Sequence, residues 1–213
     1  MGEFVGHEEC PACGSKDNLA RYADGSAHCF GCKHNERATE EGAQAPVKAP
    51  KAVGNFLTGS YEDLPKRRLR GDTLRKLGYM VGTYQGQKCH IAPIHNEQGV
   101  LVAQKIRLPK KDFRVLGDLD QGGLIFQHKA ADGGKRLVIT EGELDALSYA
   151  QAAPGWPVVS VPNGAQSAVK AVKRSIKFVN SFDEVVIMFD MDEAGEQAAK
   201  DVAMLLSPGK AKI

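Results

Sequence analysis

Long apolar runs, an export leader, a large charge excess and abundant cysteine are all missing from this sequence. No stretch of about 18 consecutive apolar residues occurs, so no transmembrane helix is expected. The opening MGEFVGHEEC has no basic segment followed by an apolar one, so a signal peptide is not expected. A cytosolic protein without a membrane partner is the expectation. Cysteine is limited to five residues, and without an export signal they are not expected to form disulfides. The formal net charge is only +2, but it conceals a division. Residues 1–59 hold 6 basic and 8 acidic side chains, residues 60–115 hold 12 and 5, and residues 116–213 hold 10 and 13. A basic middle beside an acidic end suits a polyanion held next to a metal site, although a solvated charged surface gives the same composition.

What is present is a chain of 213 residues, 42% of them hydrophobic, enough for one ordinary domain or two small ones. Residues 1–38 are polar and Gly-rich and cannot bury a core without a staple. Residues 39–54, TEEGAQAPVKAPKAVG, lack apolar periodicity and read as a flexible linker. Residues 55–134 read as a small mixed α+β subdomain. There, Asp72 caps a short helix stopped by Gly78, strands run over 79–84, 88–93 and 100–107, and Asn96–Gly99 forms a hairpin turn. From 135 to 213 the pattern alternates. RLVIT (136–140), PVVSV (157–161) and EVVIMF (184–189) are apolar strands, with helices over 143–151, 165–180 and 194–206. Such alternation indicates a parallel sheet covered on both faces, with a fourth strand beginning at the terminal KAKI. The expected fold is thus a small β module, a linker, an α+β subdomain and an α/β subdomain.

Four cysteines form the pattern Cys10-x-x-Cys13 and Cys29-x-x-Cys32, separated by 15 residues. Two such turns aim four thiolates at one point, a tetrahedral shell suited to Zn²⁺. Metal binding would fold a segment too small to fold alone. Between the pairs, Arg21, Tyr22, Asp24, Ser26, His28 and Phe30 offer stacking and base-edge hydrogen bonds, so staple and nucleic-acid reader are both open. His28 and His34 are contact residues, because four cysteines already fill the shell. Cys89 reads as a plain core residue.

Glu141-Gly142-Glu143 follows the RLVIT strand, with Asp145 just beyond, and Asp190-Met191-Asp192 follows EVVIMF. Both clusters therefore fall at the carboxyl ends of parallel strands, where sites form. Carboxylates crowded there are tolerable if a divalent cation compensates them, and hard oxygen donors favour Mg²⁺ or Mn²⁺. Asp190 and Asp192 point to one side in extended backbone, and Glu141 meets Asp145 if one helical turn includes both. Helix-dipole decoration accounts for Glu143, Glu193 and Glu196. Gly164 lets backbone approach a phosphate or a base, or simply makes a strand-to-helix turn. Lys105 and Arg107 alternate on one strand face, and Lys110, Lys111 and Arg114 follow; with Lys66, Arg67, Arg68 and Arg70 they could neutralise nucleic-acid or triphosphate charge, or be a solvated face.

Taken together, these residues resemble bacterial-type primases. TEGELDAL (140–147) and FDMDEAG (189–195) resemble the two Toprim signatures of that family. The cysteine ribbon, the linker and the QKIR…KKDF segment occur in the same order. The nearest likeness is to the primase half of the bifunctional primase–helicases of short-tailed bacteriophages, over nearly the whole chain. The resemblance implies a template-directed polymerase that makes short RNA primers on single-stranded DNA from ribonucleoside triphosphates, in the cytoplasm of an infected cell. It implies a replicative DNA polymerase and a fused helicase domain as partners. By position, Glu141 is the carboxylate beside the metal and a general base, Asp190 and Asp192 hold Mg²⁺, and Asp145 supports them. Lys105 and Lys111 lie near the incoming nucleotide's phosphates, Arg70 near bound nucleic acid, and Asp24 takes part in template reading. Ser26 stands where a family member has histidine, with His28 two positions on, which points to a different recognised trinucleotide. The family's Toprim fold continues to a further strand and another acidic residue, so an incomplete core is expected. A RecR-type recombination mediator also joins four cysteines to a Toprim fold, but only nine residues precede Cys10, too few for its helix–hairpin–helix segments. A Toprim topoisomerase needs a nucleophilic tyrosine on a separate domain, which is not visible in the sequence.

Overall fold

A computed structural model describes residues 3–36 and 56–213, and the linker reading for 39–54 lies outside the described residues. The chain forms two compact units, one on either side of that interval. In the first, strands β1 (Phe4–Glu8), β2 (Leu19–Tyr22), β3 (Ala27–Cys29) and β4 (Asn35–Glu36) form an antiparallel sheet in chain order. The turn after β2 closes through Gly25, whose N–H reaches the Tyr22 carbonyl at 3.0 Å with φ 80°, a conformation glycine adopts without steric cost. The buried cluster is Cys10, Leu19, Ala27 and Cys29, half of it cysteine.

The second unit begins with a five-stranded antiparallel sheet. Strand β5 (Gly59–Ser60) leads to helix α1 (Gly71–Leu77), then β6 (Met80–Tyr84), β7 (Gln87–His95), β8 (Leu101–Leu108) and β9 (Asp112–Gly117), paired in that order. The expected Asn96–Gly99 turn is present, with the Gly99 N–H on the Asn96 carbonyl at 3.0 Å. Gly78 ends α1 as expected, at φ 77° with its N–H on the Arg75 carbonyl. Asp72 is not the cap. Arg70 is the N-cap residue and makes no side-chain cap, while the Gly71 N–H donates to Asp63 Oδ1 at 2.7 Å.

The rest of the unit is the expected strand–helix alternation. It runs β10 (Gly134–Thr140), α2 (Glu143–Ala152), β11 (Val158–Ser160), α3 (Ala168–Arg174), α4 (Ile176–Asn180), β12 (Phe182–Met188), α5 (Glu193–Ala203) and β13 (Ala211–Lys212). All four strands are parallel, in the order β11-β10-β12-β13. The terminal KAKI does start a fourth strand, paired with Val185 and Val186. The single helix expected over 165–180 is split. Ser175 is buried and its hydroxyl donates to Gln127 Oε1 at 2.7 Å, and the helical run is interrupted there. The two faces of the parallel sheet serve two cores. Val138 and Val158 pack with α2 and the antiparallel sheet, while Leu137, Ile139, Val159, Val185 and Ile187 pack with α3, α4 and α5. Cys89 is a buried strand residue beside Ile91 and Ile106, as expected.

Candidate functional site

In the first unit the two C-x-x-C turns bring all four sulfurs within 4.8 Å of one another. Cys10 Sγ lies 3.6 Å from Cys32 Sγ, and Cys13 Sγ lies 3.8 Å from Cys29 Sγ. These separations are far too long for disulfides, whose S–S bond is about 2.05 Å. They match the edge of a tetrahedron, about 3.8 Å, for sulfurs about 2.3 Å from a central zinc. The chemistry asks for a cation as well. Backbone N–H groups of Cys32 and Gly31 help lower the Cys29 thiol to about 6. Although the His34 backbone N–H works to lower Cys32, desolvation and the three neighbouring sulfurs push it up to about 12. A divalent ion lets all four ionise together. His28 and His34 lie outside the sulfur cluster.

Around this cluster the expected reading residues divide. Arg21 is tied down, pairing with Glu8 at 2.9 Å and Glu36 at 2.7 Å, and so links β1, β2 and β4. Asp24 sits in the β2–β3 turn, where it accepts from the Ser26 backbone N–H at 3.0 Å and from the Ser26 hydroxyl. His28 Nδ1 lies 2.6 Å from Asn35 Oδ1, and its ring meets Phe30 edge to face at 4.9 Å. Phe30 itself is two-thirds exposed, an aromatic face turned to solvent.

In the second unit the site lies at a change of direction in the sheet. The connection after β10 leads to β11 on one side, and the connection after β12 leads to β13 on the other, so the loops part and open a crevice at the strand ends. Glu141 and Asp190 flank that crevice. Thr140 Oγ1 donates to the Gly142 carbonyl at 3.0 Å, which fixes the loop after β10. The Glu141 carboxylate then spans all three strand ends: Oε1 accepts from the Ala165 N–H at 3.3 Å and Oε2 from the Asp190 N–H at 3.2 Å. Gly164, at φ 68°, supplies the turn that presents the Ala165 N–H, and a Cβ there would lie 3.6 Å from Glu141 Oε1. Gly195 permits a much closer approach, since a Cβ on it would fall 2.1 Å from the Asp190 carbonyl oxygen.

Two local expectations differ from what is found. The helix begins at Glu143, so Glu141 precedes it and is not paired with Asp145 across a turn; a Cβ on Gly142 would instead lie 2.5 Å from Asp145 Oδ2. Asp192 is the N-cap of α5 and accepts from the Gly195 N–H at 2.8 Å. Partial burial, then the charges of Asp190 and Glu143, raise the Asp145 carboxyl above its ordinary value. Among the described residues, only the cysteines converge as a group of three or more metal-ligating side chains. The rim offers Glu141, Asp190 and Asp192 as spaced oxygen donors. Carboxylate oxygens are the hard donors that Mg²⁺ takes, one or two at a time beside its waters.

A basic groove of about 620 Å³ lies in the same unit. Lys66, Arg67, Lys88, His90, Arg107, Lys110 and Lys111 line it, with one acid, Asp63, and with Leu64, Pro65, Leu108, Pro109 and Leu144 as apolar walls. The two basic clusters seen in the sequence thus meet across one groove. Lys110 and Lys111 are held at φ 61° and 60°, a left-handed conformation that side chains rarely adopt and that clusters at functional sites. Arg70 does not join the groove lining; its backbone N–H donates to Gln151 Oε1 at 2.9 Å. Lys105 also lies outside the lining. Its Nζ binds Glu143 Oε2 at 2.9 Å, and Arg107 reaches Glu143 Oε1 at 3.4 Å. Although burial opposes its charge, the Lys105 ammonium, then the Arg107 guanidinium, hold the Glu143 carboxyl below its ordinary value. Helix-dipole decoration therefore misses what Glu143 does. A signal was present: Glu143, Ala146, Leu147 and Ala150 recur at i, i+3, i+4 and i+7 on the buried face of α2.

The parallel sheet carries acids at its first and third strand ends, and the same unit holds an antiparallel sheet with a basic groove, the combination found in the Toprim-containing primases to which the chain is similar. Residues 138–213 match the family described as Toprim-like. Residues 59–117 match the family described as bacteriophage T7 DNA helicase/primase, N-terminal α+β fold. The crystal structure of the primase fragment of the bacteriophage T7 primase–helicase protein is 32% identical, with a TM-score of 0.69 over 98% of this chain and 89% of that one. The primase chain in a bacteriophage T7 structure of lagging-strand DNA polymerase interacting with primase domains bound to an RNA/DNA hybrid and dTTP is 33% identical, with a TM-score of 0.67 over 72% of this chain and 79% of that one. The DNA helicase/primase of Enterobacteria phage T3 is 33% identical over 223 aligned residues, 99% of this chain and 39% of that protein. This chain belongs to the family of T7-like phage primase–helicases and matches their N-terminal primase region. It spans about two-fifths of the length of the curated phage T3 relative.

Proposed function

We propose that this chain is a DNA primase that couples ribonucleoside triphosphates into short RNA primers on single-stranded DNA. The observation that carries this reading is one compact unit holding both an acidic strand-end rim and a basic groove. Leu144, in the groove wall, is three residues from Glu141 on the rim. Glu141, Asp190 and Asp192 hold Mg²⁺ or Mn²⁺ there, and the bound ion supplies charge stabilisation for phosphoryl oxygens. In this reading Glu141 takes a proton from the attacking hydroxyl, and Asp145 adds negative charge to the rim. Lys66, Arg67, Lys110 and Lys111 neutralise phosphates along the groove, while its apolar walls accept sugar and base faces.

The cysteine unit binds Zn²⁺ and takes part in template reading. Phe30 offers a stacking surface, and Asp24 and His28 offer hydrogen bonds to base edges. Within a whole primase–helicase, a fused helicase domain and the replicative DNA polymerase are the partners of this region.

The test is primer synthesis on random single-stranded DNA with labelled ribonucleotides and Mg²⁺. Templated di- to tetraribonucleotides are the expected products. Template binding without any templated synthesis would favour a RecR-type binding role instead.

A further inference from the structure

Glu143 is a buried acid of the second unit that the rim does not use. Glu143 lies one helical position past Gly142, yet its side chain turns away from solvent and is 2% exposed. Both of its oxygens are occupied, one by Lys105 at 2.9 Å and the other by Arg107 at 3.4 Å. A carboxylate so enclosed is poorly placed to exchange partners with a hydrated cation, in contrast to Asp190 and Asp192, which are exposed. The two cations are also held from another side. The Lys105 ammonium lies 4.9 Å and the Arg107 guanidinium 5.0 Å from the centre of the Phe113 ring. Each is therefore fixed by the Glu143 carboxylate and by the aromatic face on β9. Arg107 lines the basic groove, as does Leu144, the next residue after Glu143.

We propose that Glu143 is a positioning residue that acts through Arg107, the groove-lining cation with which Lys105 shares this carboxylate, holding the guanidinium in the orientation that receives a nucleoside triphosphate, and that it is not a ligand of the rim metal. The proposal rests on the triphosphate-binding reading above. A long cationic side chain placed in advance loses less rotamer freedom on binding, so its positioning appears as affinity. Glu143 also offsets the mutual repulsion of two cations that reach the same buried point.

The test is a mutant cycle read by binding, with ATP and Mg²⁺ as the probe and calorimetry as the measurement. Glu143→Gln is expected to weaken ATP binding about 10-fold, because a neutral amide no longer anchors the two cations. The same substitution in a Lys105→Met/Arg107→Met background is expected to change ATP affinity by less than about 2-fold, since residues in one network do not act additively. Mn²⁺ binding without nucleotide, followed by electron paramagnetic resonance, is expected to be unchanged in Glu143→Gln and weakened in Asp190→Ala. An equal loss of ATP affinity in both backgrounds, or weakened Mn²⁺ binding in Glu143→Gln, overturns the proposal. So does a Glu143→Gln protein that binds ATP normally while melting at a lower temperature, because its role is then structural only. If Glu143→Gln does not fold, Glu143→Asp, which keeps the charge but withdraws it by one methylene, is carried through the same cycle with the same criteria. Failure of the wild-type chain to bind ATP would instead remove the primase reading on which this one stands.

Discussion

The two units of this chain solve the problem of a stable fold by opposite means. Among the described residues the cysteine unit has five buried hydrophobic ones, two of them cysteines of the sulfur cluster, under sheet strands of two to five residues. The Toprim-containing unit has a core on each face of its parallel sheet, built from Val, Ile, Leu, Phe and Ala. The first unit gathers four sulfurs where a metal can bind, and the second depends on packing and brings acids to its edge. The difference teaches where function can be altered without loss of fold. Asp190 and Asp192 are exposed, whereas Glu141 is half-buried and ties strand ends together, and Cys10 and Cys29 belong to both the sulfur cluster and the buried core.

Four predictions sharpen or break that comparison, from the largest expected effect to the smallest. Removing the metal with a chelator, or substituting Cys29→Ser, is expected to unfold the first unit alone, since zinc contributes about 10–16 kcal/mol to small zinc peptides. Limited proteolysis checks this: cuts confined to residues before 37 agree, and a first unit that stays protected breaks the comparison. In the second unit, Ile139→Ala removes a fully buried side chain from the central strand and is expected to cost about 2–5 kcal/mol in denaturant unfolding. A loss below about 1 kcal/mol would show that this strand does not anchor the core.

The third prediction concerns the rim. Burial, with the charges of Asp190 and Glu143, raises Asp145 above the aspartate value of 3.8. The folded state then holds that proton more tightly than the unfolded state, so ionisation at neutral pH removes stability and acidification through the raised value restores it. Asp145→Asn is accordingly expected to raise the melting temperature of the metal-free chain at pH 7, with the gain shrinking when Mg²⁺ is added. A lowered melting temperature would show that the acids do not repel one another.

The smallest effect lies away from the site. Burial, then His95 and Lys129, lowers His128 from 6.5 to about 4, and its ring stacks on His95 with centroids 3.7 Å apart. The unfolded chain takes up that proton first, so stability present above about 6.5 is expected to be lost as pH falls toward 4. Melting curves of His128→Gln are expected to fall less steeply over that window than those of the parent.

Much of this was legible in the sequence, for identifiable reasons. Apolar runs such as RLVIT and EVVIMF announce buried parallel strands, and both were found where their patterns lie. The cysteine spacing announced the sulfur cluster, and the placement of acids after strands announced the rim. Strand β9 was not legible, because it is an edge strand whose Phe113, Arg114 and Val115 are all exposed and show no apolar alternation. The break between α3 and α4 was hidden because it depends on Ser175 meeting Gln127, a contact 48 residues apart. The Asp192 cap and the Glu141 bridge were likewise invisible. Both depend on which backbone N–H a carboxylate meets, and residue type and spacing do not specify that.

The central claim is that the chemistry belongs to the strand-end rim and the metal-dependent fold to the cysteine unit. Asp190→Ala tests it most directly, with templated primer synthesis and bound zinc measured on the same sample. The account predicts that synthesis falls at least about 100-fold, the scale of losing a transition-state charge stabiliser, while one zinc per chain is retained. Synthesis that persists, or zinc that is lost with it, would contradict the account.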